Sequence, residues 1–387
     1  MEANNISPIK MPHISFDMPI AKSIVELEQL RYKRLYGTTI PIVFFQLKSI
    51  FHMLESIGST RIEGNNTTIA DYIETTKISS QQQLHFGNKD DITQIENCER
   101  AMAYIESNID NLEINKHFLR ELHAITMANL RSDGEGSINI GQFRKGGVTI
   151  TKSSHIPPDY AQVEPLLDEL LEFLHSEDYP QLNLVKIAIA HHRFVWIHPF
   201  DNGNGRVDRL LTYALLLKMK IFNKDERIVN PTAIFCSNRS KYYDFLAMAD
   251  AGTDEGLIAW TEYMLEGLKT EIEKIDKLLD YKYLSANILK PMLSLAYDNK
   301  FINDQEYEIL VLAINKQTFQ AIDIKDLLNV NSTTASRIIK GLLDKNMITP
   351  LKEKGRKYTI SFNNGLLMRS IVYVLGQNGF LPENLDR

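Results

Sequence analysis

An imidazole, an amide flanked by two glycines, and two arginines spaced three apart fall within one run, His198-Pro199-Phe200-Asp201-Asn202-Gly203-Asn204-Gly205-Arg206-Val207-Asp208-Arg209. Imidazole accepts a proton near neutral pH, so His198 is a candidate general base. Gly203 and Gly205 permit close backbone approach, and glycine-rich turns form concavities that bind anions. Arg206 and Arg209 would occupy neighbouring positions on a helix and could each fork onto a different phosphate. The set implies a ligand carrying a di- or triphosphate. Taken singly, each residue reads as a helix cap, a satisfied core histidine or a surface arginine; their coincidence in one run favours chemistry.

The flanking elements must position this run. Leu184, Ile187, Ala188, His191, Phe194 and Val195 recur at helical spacing, which predicts a buried helix from Leu184 to Phe194, with His198 emerging at its end and Pro199 as its stop. From Val207 onward, Leu210, Leu211, Ala214, Leu215 and Leu217 predict a second buried helix. Gly203 to Arg206 then stand at a helix start, where unpaired N–H groups face an anion. His191 lies on the apolar stripe and is read as a satisfied core histidine rather than a ligand.

The run resembles the signature of the Fic family, His-x-Phe-x-(Asp/Glu)-Gly-Asn-Gly-Arg-x-x-Arg, and the resemblance covers roughly residues 41 to 268. It implies that His198 deprotonates a target hydroxyl for attack on the α-phosphate of ATP, leaving AMP on the target. It further implies that Phe200 anchors the loop, that Gly203, Asn204 and Gly205 form the anion hole, and that Arg206 and Arg209 reach the β- and γ-phosphates. The sequence departs at Asn202, where the family usually carries the acid that holds Mg²⁺ or Mn²⁺. An amide oxygen brings no charge, so weaker metal binding is expected there. Asp201 is adjacent, but a neighbour in a tight loop need not point the same way.

Upstream, Ser59-Thr60-Arg61-Ile62-Glu63-Gly64 resembles the family's (Ser/Thr)-x-x-x-Glu-(Gly/Asn) inhibitory motif. By that resemblance Ser59, Glu63 and Gly64 form an inhibitory segment in which Glu63 pairs with Arg209 and takes the place of the γ-phosphate. Carboxylate and phosphate compete for one guanidinium fork. Alone, a Glu-Gly pair after an apolar helix expected from Ile42 to Leu54 would be a helix C-terminus with a glycine cap. Between the two motifs, Gly141 to Ile150 resembles the family's flap hairpin. Gly147, Val148, Thr149 and Ile150 are its target-docking candidates, with a strand expected over Val148 to Thr151. Asn238 and Tyr243 resemble positions beside the nucleotide, although a Tyr-Tyr pair on a helix commonly packs in a core.

Composition sets wider bounds. The chain has 387 residues, enough for two or three domains, and a formal charge of −6, which argues against bulk attraction to nucleic acid. Cys98 and Cys236 are too few and too isolated for a disulfide framework or a metal site, so a reducing cytoplasm is the expected setting. No signal-like start and no membrane-length apolar run is seen. Asn65-Asn66-Thr67 matches a glycosylation pattern that carries no meaning in that setting. Ser79 to Asp91 is polar and expected to be an exposed loop.

The C-terminal region has its own pattern. Beyond a core helix expected to end near Leu268 and a charged stretch, helices are predicted at Tyr307 to Ile314, at Ile324 to Leu328, and from a Ser332 cap, the last with Ala335, Ile338, Ile339, Leu342 and Leu343 inward. Ile348 to Leu351 and Tyr358 to Ser361 would close a hairpin. This order resembles a winged helix-turn-helix. Between Asn331 and Tyr358 there are seven Lys or Arg and two acids. Contact with DNA through Arg337, Lys340 and the wing is one reading; protein docking or dimerisation is the other.

The sequence therefore predicts a mainly α protein: an N-terminal helical region with the inhibitory motif (1–95), a Fic-type helical core with a small β-hairpin flap (96–275), and a winged-helix-like domain (285–387). The expected activity is autoinhibited transfer of AMP from ATP to a hydroxyl of a target protein or of the chain itself. The alternatives are a DNA-binding regulator with a weakly active nucleotide-sensing core, and an enzyme that removes AMP or uses another phosphate-containing donor. Neither the target nor the oligomeric state is legible, although a homodimer relieved by dissociation would fit.

Overall fold

A computed structural model describes residues 7–32, 37–78, 88–150, 155–177 and 179–382. The helices run in chain order α1 (Pro19–Tyr32), α2 (Pro41–Glu63), α3 (Ile69–Ile73), α4 (Lys89–Asn108), α5 (Lys116–Met127) and α6 (Val163–His175). Next come α7 (Asn183–Ile197), α8 (Asn204–Lys218), α9 (Thr232–Ser237), α10 (Arg239–Ala249) and α11 (Asp254–Asp276). The last are α12 (Tyr281–Leu284), α13 (Lys290–Asp298), α14 (Asp304–Lys316), α15 (Ala321–Leu328), α16 (Ser332–Asp344) and α17 (Gly365–Gln377). Two strands, β1 (Ile348–Pro350) and β2 (Tyr358–Ile360), lie between α16 and α17. The protein is mainly α.

Two compact units are formed, residues 1–34, 55–66 and 89–273 in the first, and 35–54, 67–88 and 274–387 in the second. Helix α2 supplies residues to both. It continues to Glu63 instead of ending with the apolar stretch at Leu54, because Ile57, Ser59, Thr60 and Ile62 are also buried.

In the first unit α7 packs against α6 and α8, and α4 and α5 pack against each other and against α8. Apolar residues on every face of α7 leave Leu184, Val185, Ile187, Ala188, Ile189, Ala190 and Phe194 buried, as a central helix requires. Helix α6 is one-sided: Val163, Leu166, Leu167, Leu170, Leu171 and Leu174 turn inward at helical spacing. Trp260 of α11 is wholly buried and donates from Nε1 to Ala188 O at 2.7 Å, fastening α11 to α7. Helix α11 continues through the charged stretch beyond Leu268 to Asp276, with Ile272 and Ile275 buried on its inner face.

In the second unit α13 packs on α17 and α15 on α16. Strands β1 and β2 are antiparallel with Ile348 opposite Ile360 and Pro350 opposite Tyr358. Phe319 exchanges two backbone hydrogen bonds with Tyr358, at 2.9 and 2.8 Å, and so adds a bridge ahead of α15. Asn331, rather than Ser332, caps α16: its Oδ1 accepts from Thr334 N at 2.8 Å, and Ser332 is the first helical residue. Of the five residues expected inward on α16, Ala335, Ile339 and Leu342 are buried, while Ile338 and Leu343 are half-buried at its margin.

Two local readings are corrected. The polar segment from Ser79 does not remain a loop to Asp91, because α4 begins at Lys89 and its first turn takes Asp90 and Asp91, acids that suit a helix start; residues 79–87 lie outside the described residues. Val148 to Ile150 form no strand, since no described segment pairs with them, and Thr151 lies outside the described residues. No helix among the described residues is long and apolar enough to cross a membrane.

Candidate functional site

The signature run is the connection between α7 and α8. His198 is the C-cap of α7, at φ 52°, a left-handed conformation uncommon for a residue with a side chain. Several contacts over-determine it. His198 N donates to Phe194 O at 3.0 Å, and the buried Arg144 donates from Nε to His198 O at 2.8 Å. Arg144 N also donates to Pro199 O at 2.9 Å. Asn204 then clasps the loop from within: Oδ1 accepts from Phe200 N at 2.8 Å and Nδ2 donates to Phe200 O at 2.9 Å. Its side chain is thereby committed to the loop and unavailable to an anion, which restricts any anion-binding role at Asn204 to its backbone.

Phe200 is fully buried and stacks on His123 of α5 with ring centroids 3.9 Å apart. His123 is a residue that the sequence reading missed. Gly141 N donates to its Nδ1 at 2.9 Å, while its Nε2 faces Asn202 O at 3.2 Å. An amide on one nitrogen and a carbonyl on the other fix the neutral tautomer protonated at Nε2. Burial pushes its pKa down to about 4, which agrees with that assignment. The available sequence signal was a histidine on the apolar face of α5, beside Leu119 and Leu122.

His198 opens onto a cavity of about 500 Å³, together with Glu63, Asn202, Gly205 and Arg209. Trp196, Tyr243, Asp250 and the flap residues Thr149 and Ile150 form other parts of its wall, whereas Gly147 and Val148 do not. His198 Nδ1 lies 3.3 Å from Val195 O, a carbonyl that can only accept, so Nδ1 carries the proton and Nε2 keeps a lone pair. Burial pushes the His198 pKa down to about 4, with Glu63 opposing, so the ring is neutral at physiological pH.

Glu63 reaches Arg209 beside Gly205 at the start of α8. Arg209 is buried and donates from Nε to Ser59 Oγ at 2.8 Å, from Nη2 to Ser59 O at 2.9 Å, and from Nη2 to Glu63 Oε1 at 2.7 Å. Burial acts to raise the Glu63 pKa, but the Arg209 charge and hydrogen bond outweigh it and hold the carboxyl below its ordinary range. A Cβ at Gly205 would overlap Glu63 Oε1, so the missing side chain is what admits the carboxylate. Gly64 ends α2 at φ 113° in open space, and conformation alone calls for glycine there. One turn before Ser59, Glu55 accepts from Thr232 N with both oxygens, at 3.0 and 3.1 Å. Burial pushes the Glu55 pKa up to about 8.

Arg206 is buried off the cavity wall, donating to Gln94 Oε1 at 3.2 Å and to Glu135 O at 3.2 Å, with the Glu135 carboxylate 3.5 Å away. Gly203 caps α8 at φ 76°, and a Cβ there would overlap Met127. Asn238 caps α10, its Oδ1 accepting from Lys241 N at 2.9 Å, and does not line the cavity. Tyr243 does, beneath the guanidinium of Arg239. His191 is the core histidine expected, bonded to Thr212 Oγ1 at 2.8 Å and Tyr242 Oη at 3.0 Å.

A divalent metal finds little of the protein to hold it. Asn202 Oδ1 accepts from Gly203 N at 2.7 Å and its Nδ2 donates to Gly136 O at 3.1 Å. The Asp201 carboxylate is engaged by Ser137 Oγ at 2.5 Å and by the backbone N–H groups of Ile138 and Asn139, each at 3.2 Å. Among the described residues no group of three or more His, Cys, Asp or Glu is placed to hold an ion. The residues present do not fit a protein-bound metal.

A neutral histidine, a glycine at a helix start and a buried arginine share one cavity in the helical first unit. Residues 113–216 match the Fic/DOC family, and the chain carries a Fic domain. It is 33% identical over 204 residues to the protein adenylyltransferase Fic of Drosophila erecta, covering 52% of this chain and 37% of that protein. The protein adenylyltransferase Fic of Drosophila melanogaster is 32% identical over the same length, with 37% of it covered. This chain thus spans little more than a third of the length of those curated relatives. In fold it is similar to a Fic family protein from Desulfovibrio desulfuricans G20, with a TM-score of 0.55 at 20% identity over 91% of this chain and 98% of that one. Fic-1 from C. elegans gives 0.50 at 20% identity over 69% of this chain and 72% of that one.

Proposed function

We propose that this protein transfers AMP from ATP to a hydroxyl of a target protein or of itself, and that Glu63 restrains the reaction. The observation that carries the reading is the shared cavity: the neutral His198, its Nδ1 engaged by Val195 O, lines the same space as Gly205 and Arg209. In the reaction the target oxygen attacks the α-phosphorus and its proton passes to His198 Nε2. The bond from the α-phosphorus to the bridging oxygen breaks, and pyrophosphate leaves. The helix start at Gly203 to Gly205 and the Arg209 fork stabilise the charge on the phosphates.

In the conformation described, Glu63 takes the fork. ATP must displace it or bind with its terminal phosphate elsewhere, and the reaction is slow until α2 withdraws the carboxylate. Two cysteines, both buried and unpaired, support a reducing cytoplasmic setting.

The experiment compares label transfer from α-labelled ATP by wild type, Glu63→Gly and Glu63→Gly/His198→Ala. Transfer that appears in the single variant and disappears in the double variant supports the reading. Silence in all three with ATP bound overturns it. A second reading, removal of AMP or use of another donor, is favoured by the commitment of Asn202 to its own loop; release of AMP from a modified protein by wild type would select it.

A further inference from the structure

We propose that the second unit binds duplex DNA, with α16 in the major groove and the β1–β2 hairpin on the backbone. The proposal is independent of the transfer reaction. The inward face of α16 is Ala335, Ile339 and Leu342, which leaves Ser332, Thr333, Ser336, Arg337 and Lys340 exposed on the opposite face. Its only acid, Asp344, is the last residue of the helix. In the hairpin tip, Lys352, Lys354, Arg356 and Lys357 are exposed with a single acid, Glu353, among them.

Two other lysines of the unit have acidic partners. Lys345 is paired with Glu306 at 2.5 Å and Lys316 with Asp323 at 2.5 Å. Arg337, Lys340, Lys352, Lys354, Arg356 and Lys357 have no ion pair among the described residues. Six unneutralised charges on two packed elements in an acidic chain create a local positive field whose natural complement is a polyanion.

The chemistry of the face chooses among polyanions. Protein interfaces are enriched in aromatic residues, Met and Arg and depleted in Ser and Lys, whereas the exposed residues of this face are mainly Ser, Thr and Lys, with no Met or aromatic among them. The exposed apolar residues Ile322 and Leu327 lie on α15 instead. Short hydroxyl side chains over the first turns let a helix approach closely and can bond phosphates or base edges. The B-form major groove admits a helix, and the deep, narrow major groove of A-form RNA does not.

The test uses the full chain and a fluorescent mixed-sequence duplex of about 30 base pairs, roughly three helical turns, titrated by anisotropy at several salt concentrations. Six phosphate contacts give a slope of log affinity against log salt of about −5, and a loss of about a thousandfold from 50 to 200 mM salt. Arg337→Gln/Lys340→Gln should reduce the slope by about two, and the four hairpin substitutions to Gln by about four. Lys282→Gln/Lys290→Gln, an equal change of charge elsewhere in the unit, should leave it unchanged. Absence of saturable binding at low salt, an equal loss in the control variant, or displacement by poly-glutamate at matched charge as effective as by unlabelled duplex would overturn the proposal. The last outcome would point to an acidic protein partner.

Discussion

Glu63 Oε1 lies 2.7 Å from Arg209 Nη2, in space that exists because Gly205 has no side chain. The carboxylate is held by one buried guanidinium that Ser59 also fixes, through its hydroxyl and its carbonyl. Under the proposed function this carboxylate and a substrate phosphate compete for one anion site, and the behaviour of the protein should follow from that competition.

Replacing Glu63 by Gly should raise ATP affinity roughly 10- to 100-fold, the worth of a charge-assisted hydrogen bond of about 1.5 to 3 kcal/mol. Glu63→Gln, which keeps the bulk and loses the charge, should give a smaller gain. Calorimetric titration with ATP separates the two; equal affinities in wild type and both variants would show that the contact does not compete.

Gly205→Ala should abolish AMP transfer in both the wild-type and the Glu63→Gly background. The new methyl evicts the carboxylate but stands where a phosphate oxygen must go. Transfer by Gly205→Ala alone, read by label incorporation, would mean that the phosphates lie elsewhere.

The catalytic loop should weaken on acidification, through His123. Its pKa is about 4 in the folded protein and about 6.5 unfolded, so the unfolded chain takes up a proton that the folded protein refuses. Relative to His123→Gln, wild type should lose up to about 3 kcal/mol of stability as pH falls from 6.5 towards 4, and nothing between 7 and 8. Urea denaturation of both proteins across this range checks the sign. Glu55 has the opposite sign and loses stability as pH rises through about 8, but it is common to both proteins and cancels in the difference.

Asn202→Asp should strengthen binding of Mn²⁺ to the ATP complex, read by electron paramagnetic resonance, at a cost in stability of about 1 to 3 kcal/mol. The cost arises because the amide now donates to Gly136 O, and a carboxylate would face that carbonyl without a hydrogen. A variant as stable as wild type and no tighter for Mn²⁺ would refute both halves.

The large elements and the cavity-facing groups of the candidate site were legible in the sequence for a physical reason. Buried helices such as α7 and α8 write their periodicity in apolar residues, and His198, Gly205, Arg209 and Glu63 have few other reasons to coincide. What stayed hidden is the scaffolding of the loop. Asn204 clasps Phe200 and Asn238 caps α10, each bonding to the backbone in a way that residue type does not distinguish from bonding to a ligand. His123 and Arg144 come from distant segments, and only folding reveals that they hold Asn202 and His198 by their carbonyls. Arg206 looked equivalent to Arg209, yet one turn of helix turns it towards Gln94 and away from the cavity.

Glu55, Ser59 and Glu63 stand four residues apart along a single face of α2, and each is bonded within the first unit, to Thr232 or to Arg209. A force that turns or slides the helix as a body must break all three attachments in one event, because none can yield while its neighbours keep register. Whatever acts on α2 in this way would change how many molecules are awake at a given moment, leaving the pace of each awake molecule the same. The cell would read its output as a headcount.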